Sequence, residues 1–274
     1  MKAGIIGGTG KMGRLFSGLL SQAGYDVIVS GRTTPVTAEA IASDCDLVMV
    51  SVPIRETEAV IGRIAPLLSG DQLLCDLTSL KVFPVAAMLR SRAQVIGLHP
   101  MFGPTVGSIN GQTIIVCPAR ADPEIAGALL GIFTAESAHC TISTPEEHDR
   151  MMAVVQGLTH YVTLCMADSI RRLGADITRT KEFTSPVYQL ELSLAGRLLS
   201  QDPALYADIL QMNPYVNEVL DACTSASAEL GSVIRGGQPE VFAGFFARDS
   251  RHLGRYCREG QEMTDALIEF MVKR

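Results

Sequence analysis

The sequence predicts an α/β fold, with a doubly wound parallel sheet in the N-terminal half and an all-helical domain after it. Three observations predict this. Short apolar runs alternate with amphipathic stretches as far as residue 118. A glycine-rich turn follows the first run directly. Around Thr144 the strand-like runs stop and helical periodicity takes over. AGIIGG (3–8) reads as a buried strand and 11–23 as a helix. YDVIVS (25–30) is a second strand and 38–43 a short helix. DLVMVSVP (46–53) is a third strand, whose unbroken apolar run suits a sheet covered on both faces. A helix over 55–67, a strand at QLLCDLTS (72–79), a further helix and strands at QVIGLHP (94–100) and GQTIIVCP (111–118) complete the alternation. Ser143-Thr144-Pro145-Glu146-Glu147 is a helix start, with a capping hydroxyl, an early proline and acids in the first turn. Helices are expected over 146–174, 186–200, 203–211, 213–235, 238–247 and 250–272. The domains are therefore 1–144 and 145–274, and by analogy with other chains of this plan the helical domain makes a homodimer.

Composition narrows the function classes. Of the 274 residues, 47% are hydrophobic and 19% charged, so a sizeable packed core is expected and disorder is not. The net charge is −6 and no basic block stands out, which argues against a nucleic-acid partner. No stretch approaches the roughly 20 apolar residues that span a bilayer, and the N-terminus lacks the pattern of a signal peptide. A soluble, cytoplasmic chain with no membrane partner is expected. The seven cysteines form no CxxC pair and read as buried, reduced thiols; no metal-ligand cluster is seen.

Gly8-Thr9-Gly10-Lys11-Met12-Gly13 fits GxGxxG between a strand and a helix, the context in which this motif marks a Rossmann-type dinucleotide site. The first glycine is expected to permit the tight turn, the second to admit the pyrophosphate, and the third to let helix and strand pack. The helix N-terminus offers free N–H groups and a positive dipole end. At the end of the second strand stands Ser30-Gly31-Arg32-Thr33-Thr34. An NAD site wants an acid there for the ribose 2′-OH. Arg32 instead suits a 2′-phosphate, with hydroxyls of Thr33 and Thr34 as further donors. NADP is the favoured cofactor, NAD the alternative, and Arg32 as a solvated or adenine-stacking residue the plain reading. Ser51-Val52-Pro53 ends the third strand on the same edge and should touch the dinucleotide.

Two further segments end strands on that edge: Asp76-Leu77-Thr78-Ser79-Leu80-Lys81 and Gly97-Leu98-His99-Pro100-Met101-Phe102-Gly103-Pro104. With GKMGRLF (10–16), SVPI (51–54), EHD (147–149) and SPVYQLELSLAGRLLSQDPALYADIL (185–210), they cover nearly the whole chain with a pattern that resembles prephenate dehydrogenases. The likeness is greatest to the dehydrogenase portion of the bifunctional chorismate mutase–prephenate dehydrogenases. The strand that starts at residue 3 leaves no room for a mutase portion, so mutase activity is not expected. The resemblance implies oxidative decarboxylation of a small cyclohexadienol acid, with hydride passing from C4 to the nicotinamide. It implies that His99 is the catalytic histidine, taking the proton of the C4 hydroxyl, and that Ser79 helps to hold that hydroxyl. Arg197 is implied to grip a substrate carboxylate, and His160 to face the substrate. The plain readings are a core histidine for His99 and His160, a loop cap for Ser79 and a structural salt bridge for Arg197. Lys81 reads as a structural or cofactor-edge charge, His148 as part of the domain junction, and His139 and His252 have no functional case.

Family members often carry an acid where this chain has Thr105, and some a base where it has Gln189. Prephenate, arogenate and 4-amino-4-deoxyprephenate therefore all stay open as substrates. A reductase of the same two-domain plan would need a lysine in the helix over 146–174, which has His160 and none. A non-catalytic NADP-binding regulator would not need His99, Ser79 and Arg197 together.

Overall fold

The computed structural model describes residues 1–273. The chain divides into two compact units. The first comprises Met1–Ala153 with Ala204–Tyr215; the second comprises Val154–Pro203 and the chain from Val216 onward.

The first unit is built on β1 (Lys2–Ile6), α1 (Lys11–Gln22), β2 (Asp26–Ser30), α2 (Ala38–Asp44), β3 (Leu47–Val50), α3 (Ile54–Ile64), β4 (Leu73–Asp76), α4 (Val82–Met88), β5 (Gln94–Pro100), β6 (Thr113–Arg120), α5 (Pro123–Ala135) and β7 (His139–Ile142). One sheet joins the strands in the order β2-β1-β3-β4-β5-β6-β7. Pairings from β2 to β5 are parallel, β5 with β6 is antiparallel, and β6 with β7 is parallel. Successive residues of a strand face opposite sides, and both sides are covered, as a doubly wound sheet requires. Ala3, Ile5, Leu47 and Met49 pack with Phe16, Leu19 and Leu20 of α1 and with Leu129 and Phe133 of α5. Ile6, Val48 and Val50 pack with Ile41 of α2, Ile61 and Ile64 of α3, and Met88 of α4. Phe16 and Phe133 meet edge to face with centroids 5.9 Å apart, a favoured aromatic geometry.

The expected elements are present, and α5 and β7 are additions. In α5 the apolar residues of PEIAGALLGIFTA run nearly all the way round, so no stripe marks it as a helix. Strand β7 has four residues, mostly exposed, at the sheet edge. The cysteines are free, but only Cys45, Cys75 and Cys117 are buried; Cys165 and Cys257 are exposed, which corrects the expectation of uniformly buried thiols.

Unit 1 also holds α6 (Pro145–Met152). Thr144 caps it by accepting from the Glu147 N–H, as the sequence indicated. The single helix expected over 146–174 is interrupted: a π-helical stretch, Ala153–Leu158, separates α6 from α7 (Thr159–Arg172). α8 (Ile177–Glu182) was too short to be legible. It is followed by α9 (Pro186–Leu199), α10 (Pro203–Met212), α11 (Val216–Gly236), α12 (Pro239–Leu253) and α13 (Tyr256–Val272). The break between α12 and α13 falls at Gly254, with φ +58°, rather than near 248. Helix α10 belongs to unit 1, where Asp208 pairs with Arg55 of α3 and Gln211 bonds the same guanidinium at 3.1 Å.

Unit 2 has little core of its own. Helices α7, α12 and α13 bury no residue. Their amphipathic patterns leave Val162, Phe242, Phe246, Leu267 and Phe270 exposed. None of the helices among the described residues is long and apolar enough to cross a membrane.

Candidate active site

Strands β1 to β5 run parallel, so the loops after Ile6, Ser30, Val50, Asp76 and Pro100 lie along one edge of the sheet. That is where α/β sheets of this type bind ligands.

One end of this edge is a cavity of about 510 Å³, lined by Gly7, Thr9, Gly10, Arg32, Ser51, Val52 and Pro53 among others. The glycines form a cradle. The left-handed turn is made at Gly7 (φ +85°), one residue before the motif, where a Cβ would stand 2.1 Å from the Ser51 carbonyl oxygen. This corrects the assignment of the turn to Gly8. Gly8 is required instead by Val29, which a Cβ would approach to 2.7 Å. A Cβ on Gly13 would stand 2.5 Å from the Gly7 carbonyl oxygen, so helix and turn can close only on glycine. At Gly10 the nearest atom to a Cβ is 3.1 Å away. These features fit a dinucleotide. Gly8, Lys11, Met12, Gly13 and Thr33 are not part of the lining. Thr34 lines it but its hydroxyl is engaged: it accepts from the Gly31 N–H at 2.8 Å and lies 3.1 Å from the Gly31 and Val36 carbonyl oxygens. It holds the Arg32 loop in shape rather than offering a donor. Three charged residues that sequence reading passed over also line the cavity: Glu39 of α2, and Glu56 and Arg63 of α3. Arg63 pairs with Glu39 at 3.4 Å. They are missed because they stand on helices rather than at strand ends.

The other end is buried. His99 lies near the end of β5, opposite Ile115 of β6, and is only 2% exposed. Its Nδ1 lies 2.8 Å from Nε2 of His148. Nδ1 of His148 lies 2.7 Å from Oδ1 of Asp149. That oxygen also accepts from the Lys81 N–H at 2.8 Å, and Oδ2 accepts from the Val82 N–H at 3.0 Å. Asn213 donates to the Asp149 carbonyl at 2.8 Å and fixes the same turn of α6. The tautomers follow from this chain. A carboxylate accepts, so His148 Nδ1 carries the proton and its Nε2 is an acceptor. His99 Nδ1 must then be the donor, and Nε2 is the basic nitrogen of the His99 ring. Burial pushes the His99 pKa well below its ordinary value, with the His148 ring and the Lys81 charge acting in the same sense. Burial also lowers His148, against the opposing pull of Asp149. Both rings are thus neutral near neutral pH.

His148, expected at the domain junction, is therefore bonded within unit 1 to the ring it supports. Lys81 is fully buried and paired with Asp76, so it is not a charge at the cofactor edge. Ser79 is half-buried in the loop after β4, the strand whose Asp76 pairs with Gly97 of β5.

Within unit 2, His160 is in the first turn of α7 and Arg197 in the last turn of α9, two helices that pack on each other. Burial lowers the His160 pKa. Arg197 is exposed and forms no ion pair among the described residues, so the structural salt bridge weighed for it is absent. The π-helical stretch directly before His160 is a distortion common at functional sites.

Residues 26–141 match the family model described as prephenate dehydrogenase, nucleotide-binding domain, and 144–248 the model described as prephenate dehydrogenase, dimerization domain. The chain is 38% identical to the T-protein of Haemophilus influenzae, over 97% of this chain and 70% of that one. It is 33% identical to a probable arogenate/prephenate dehydrogenase of Methanocaldococcus jannaschii, over 96% of this chain and 64% of that one. It thus spans about two thirds of the length of these relatives. Among solved structures, prephenate dehydrogenase from Aquifex aeolicus, in complex with hydroxyphenyl propionate and NAD+, has the same fold. The TM-score is 0.70 at 20% identity, covering 92% of this chain and 98% of that one. On the strength of both family models and the close relatives, this chain belongs to the prephenate dehydrogenase family of oxidoreductases.

Proposed function

We propose that the protein oxidises a prephenate-type cyclohexadienol, prephenate or arogenate, with NADP as the preferred acceptor. The observation that carries this is the chain from Asp149 through His148 to His99, which supports Nε2 of a neutral His99 as a proton acceptor. A bound nicotinamide supplies the hydride acceptor. The protein's part is to align and to take a proton. His99 accepts the C4 hydroxyl proton on Nε2 as the C4–H bond gives up its hydride. The positive charge then formed on the ring is stabilised through His148 by the Asp149 carboxylate, which the Lys81 and Val82 N–H groups hold in place. Ser79 orients the hydroxyl. Arg197 binds a substrate carboxylate by its fork of donors, and His160 stands by the substrate. Loss of the C1 carboxylate as CO2 leaves its electron pair to the ring, which becomes aromatic as the C4 oxygen is protonated. Much of the driving force belongs to the substrate, so orientation is the main demand on the protein.

For the dinucleotide, Gly7, Gly10 and the N-terminus of α1 would receive the pyrophosphate, and Ser51–Pro53 would border it. Arg32 would meet the 2′-phosphate; no acid stands at the end of β2, and Arg63 adds a second cation to the cavity wall. Residues 145–274 would form the dimerisation domain, where the bare apolar faces of α7, α12 and α13 call for a second copy. A small-molecule substrate and a cytoplasmic location complete the reading.

The test is reduction of NADP and of NAD with prephenate and with arogenate in parallel. NADPH formation with one or both substrates, outpacing NADH formation, is expected. Tight NADP binding without turnover of either would replace this reading with a regulator.

A further inference from the structure

Lys81 and Asp76 form a fully buried ion pair that the chemistry above does not use. Stability alone does not account for it. A buried pair rarely outperforms apolar residues of the same volume, and Oδ1 of Asp76 has no hydrogen-bond partner among the described residues. The surroundings are nonetheless shaped around it. Oδ2 of Asp76 takes the Lys81 ammonium, the Thr78 hydroxyl, and the Thr78 N–H at 3.0 Å. Nζ of Lys81 also donates to the Leu98 carbonyl at 2.8 Å, on the residue before His99. Gly97 makes room for the lysine stem: a Cβ there would stand 3.0 Å from Cδ of Lys81 and 2.8 Å from Val85. The backbone N–H of the same lysine holds Asp149. Residue 81 therefore touches both supports of His99, strand β5 through its side chain and the His148–Asp149 chain through its backbone.

We propose that Lys81 is a positioning residue for His99: its ammonium, fixed by Asp76 and by the Leu98 carbonyl one residue before the imidazole, and its backbone N–H on Asp149 together hold the ring in the neutral, proton-accepting form. The charged and titratable groups around His99 are consistent with this. Asp76 lies at the end of β4, Lys81 before α4, and His148 and Asp149 on α6; the facing residue on β6 is Ile115. The nearby thiols of Cys75 and Cys117 are raised by burial, Cys117 to about 12, and carry no charge near neutral pH. Asp149 pulls the His148 ring toward protonation, while Lys81 acts against protonation of both rings. The balance leaves a base that accepts a proton during hydride loss and gives it up afterwards.

This inference rests on the proposed role of His99, so its experiment reads the ring directly. The full chain is labelled with 15N-histidine, the His99 signals are assigned by their loss in His99→Asn, and the ring is titrated in wild type, Lys81→Met and Asp76→Asn/Lys81→Met. The double variant leaves no orphaned charge and serves if the single variant does not fold; NADP binding checks both. The His99 midpoint is expected to rise by about one unit or more in Lys81→Met, the usual scale for a neighbouring charge, and by less in the double variant. The acid limb of kcat/KM should rise with it. An unmoved His99 midpoint in the folded variants overturns the proposal. Near-normal turnover of His99→Asn would instead defeat the role of His99 while the titration still answers for Lys81.

Discussion

The two ends of the same sheet edge are made of opposite materials. The cavity beside β1 and β2 is shaped by backbone: glycines that admit no Cβ, a hydroxyl tying down a loop, and exposed Arg32 and Arg63 at the rim. The end beside β4 and β5 is shaped by buried side chains, where His99, His148, Asp149, Asp76 and Lys81 lie at 2% exposure or less. An exposed charge can be exchanged at modest cost, and on the proposed reading Arg32 would set which dinucleotide is preferred. A buried polar network fixes tautomer and proton affinity, and every member depends on the rest. On the same reading, cofactor selectivity and chemistry on the substrate are expected to be separable by mutation.

The largest expected effect is at the buried end. His99→Asn should lower turnover by at least about a hundredfold, the scale of general acid–base groups, while leaving the Kd for NADP unchanged. Near-normal turnover would remove His99 from the chemistry. Next comes the open end. Arg32→Ala should weaken NADP by about ten- to a hundredfold, the value of one or two charge-assisted hydrogen bonds, and leave NAD nearly untouched. Equal loss for both, measured by titrating each dinucleotide, would mean that the 2′-phosphate is read elsewhere. Smaller still is His148→Phe, which keeps a ring but removes the acceptor for His99 Nδ1. A fall of about tenfold in kcat is expected, with KM little changed and partial recovery in His148→Gln. Identical kcat in the two variants would reduce His148 to packing.

The same contrast governs what could be read from sequence. The open end is local. Strand, glycine turn and helix follow each other within Lys2–Gln22, and the spacing alone exposes the site. Even there the turn glycine was misplaced by one residue, because φ is a property of the folded backbone. The buried end is long-range. His99 and His148 are 49 residues apart, and Asp149 lies 67 from Val82. No periodicity announces such pairings. His99 was picked out by its strand-end position and by the resemblance of GLHPMFGP to a family. His148 and Lys81 stay outside the catalytic set because each has an ordinary explanation in isolation, His148 as part of the domain junction and Lys81 as a structural or cofactor-edge charge. In the helical unit, repeating apolar positions gave the helices. The π-helical stretch and α8 stayed hidden, since neither changes the composition of its segment.

The most direct test of the central claim, a neutral His99 held as base by its buried partners, is the pH dependence of kcat/KM. A base works in its deprotonated form, and a lowered pKa keeps that form populated to more acid pH. The profile should therefore stay level through neutrality and fall only below about 6.5, the ordinary histidine value. An acid limb centred at or above that value would contradict the account.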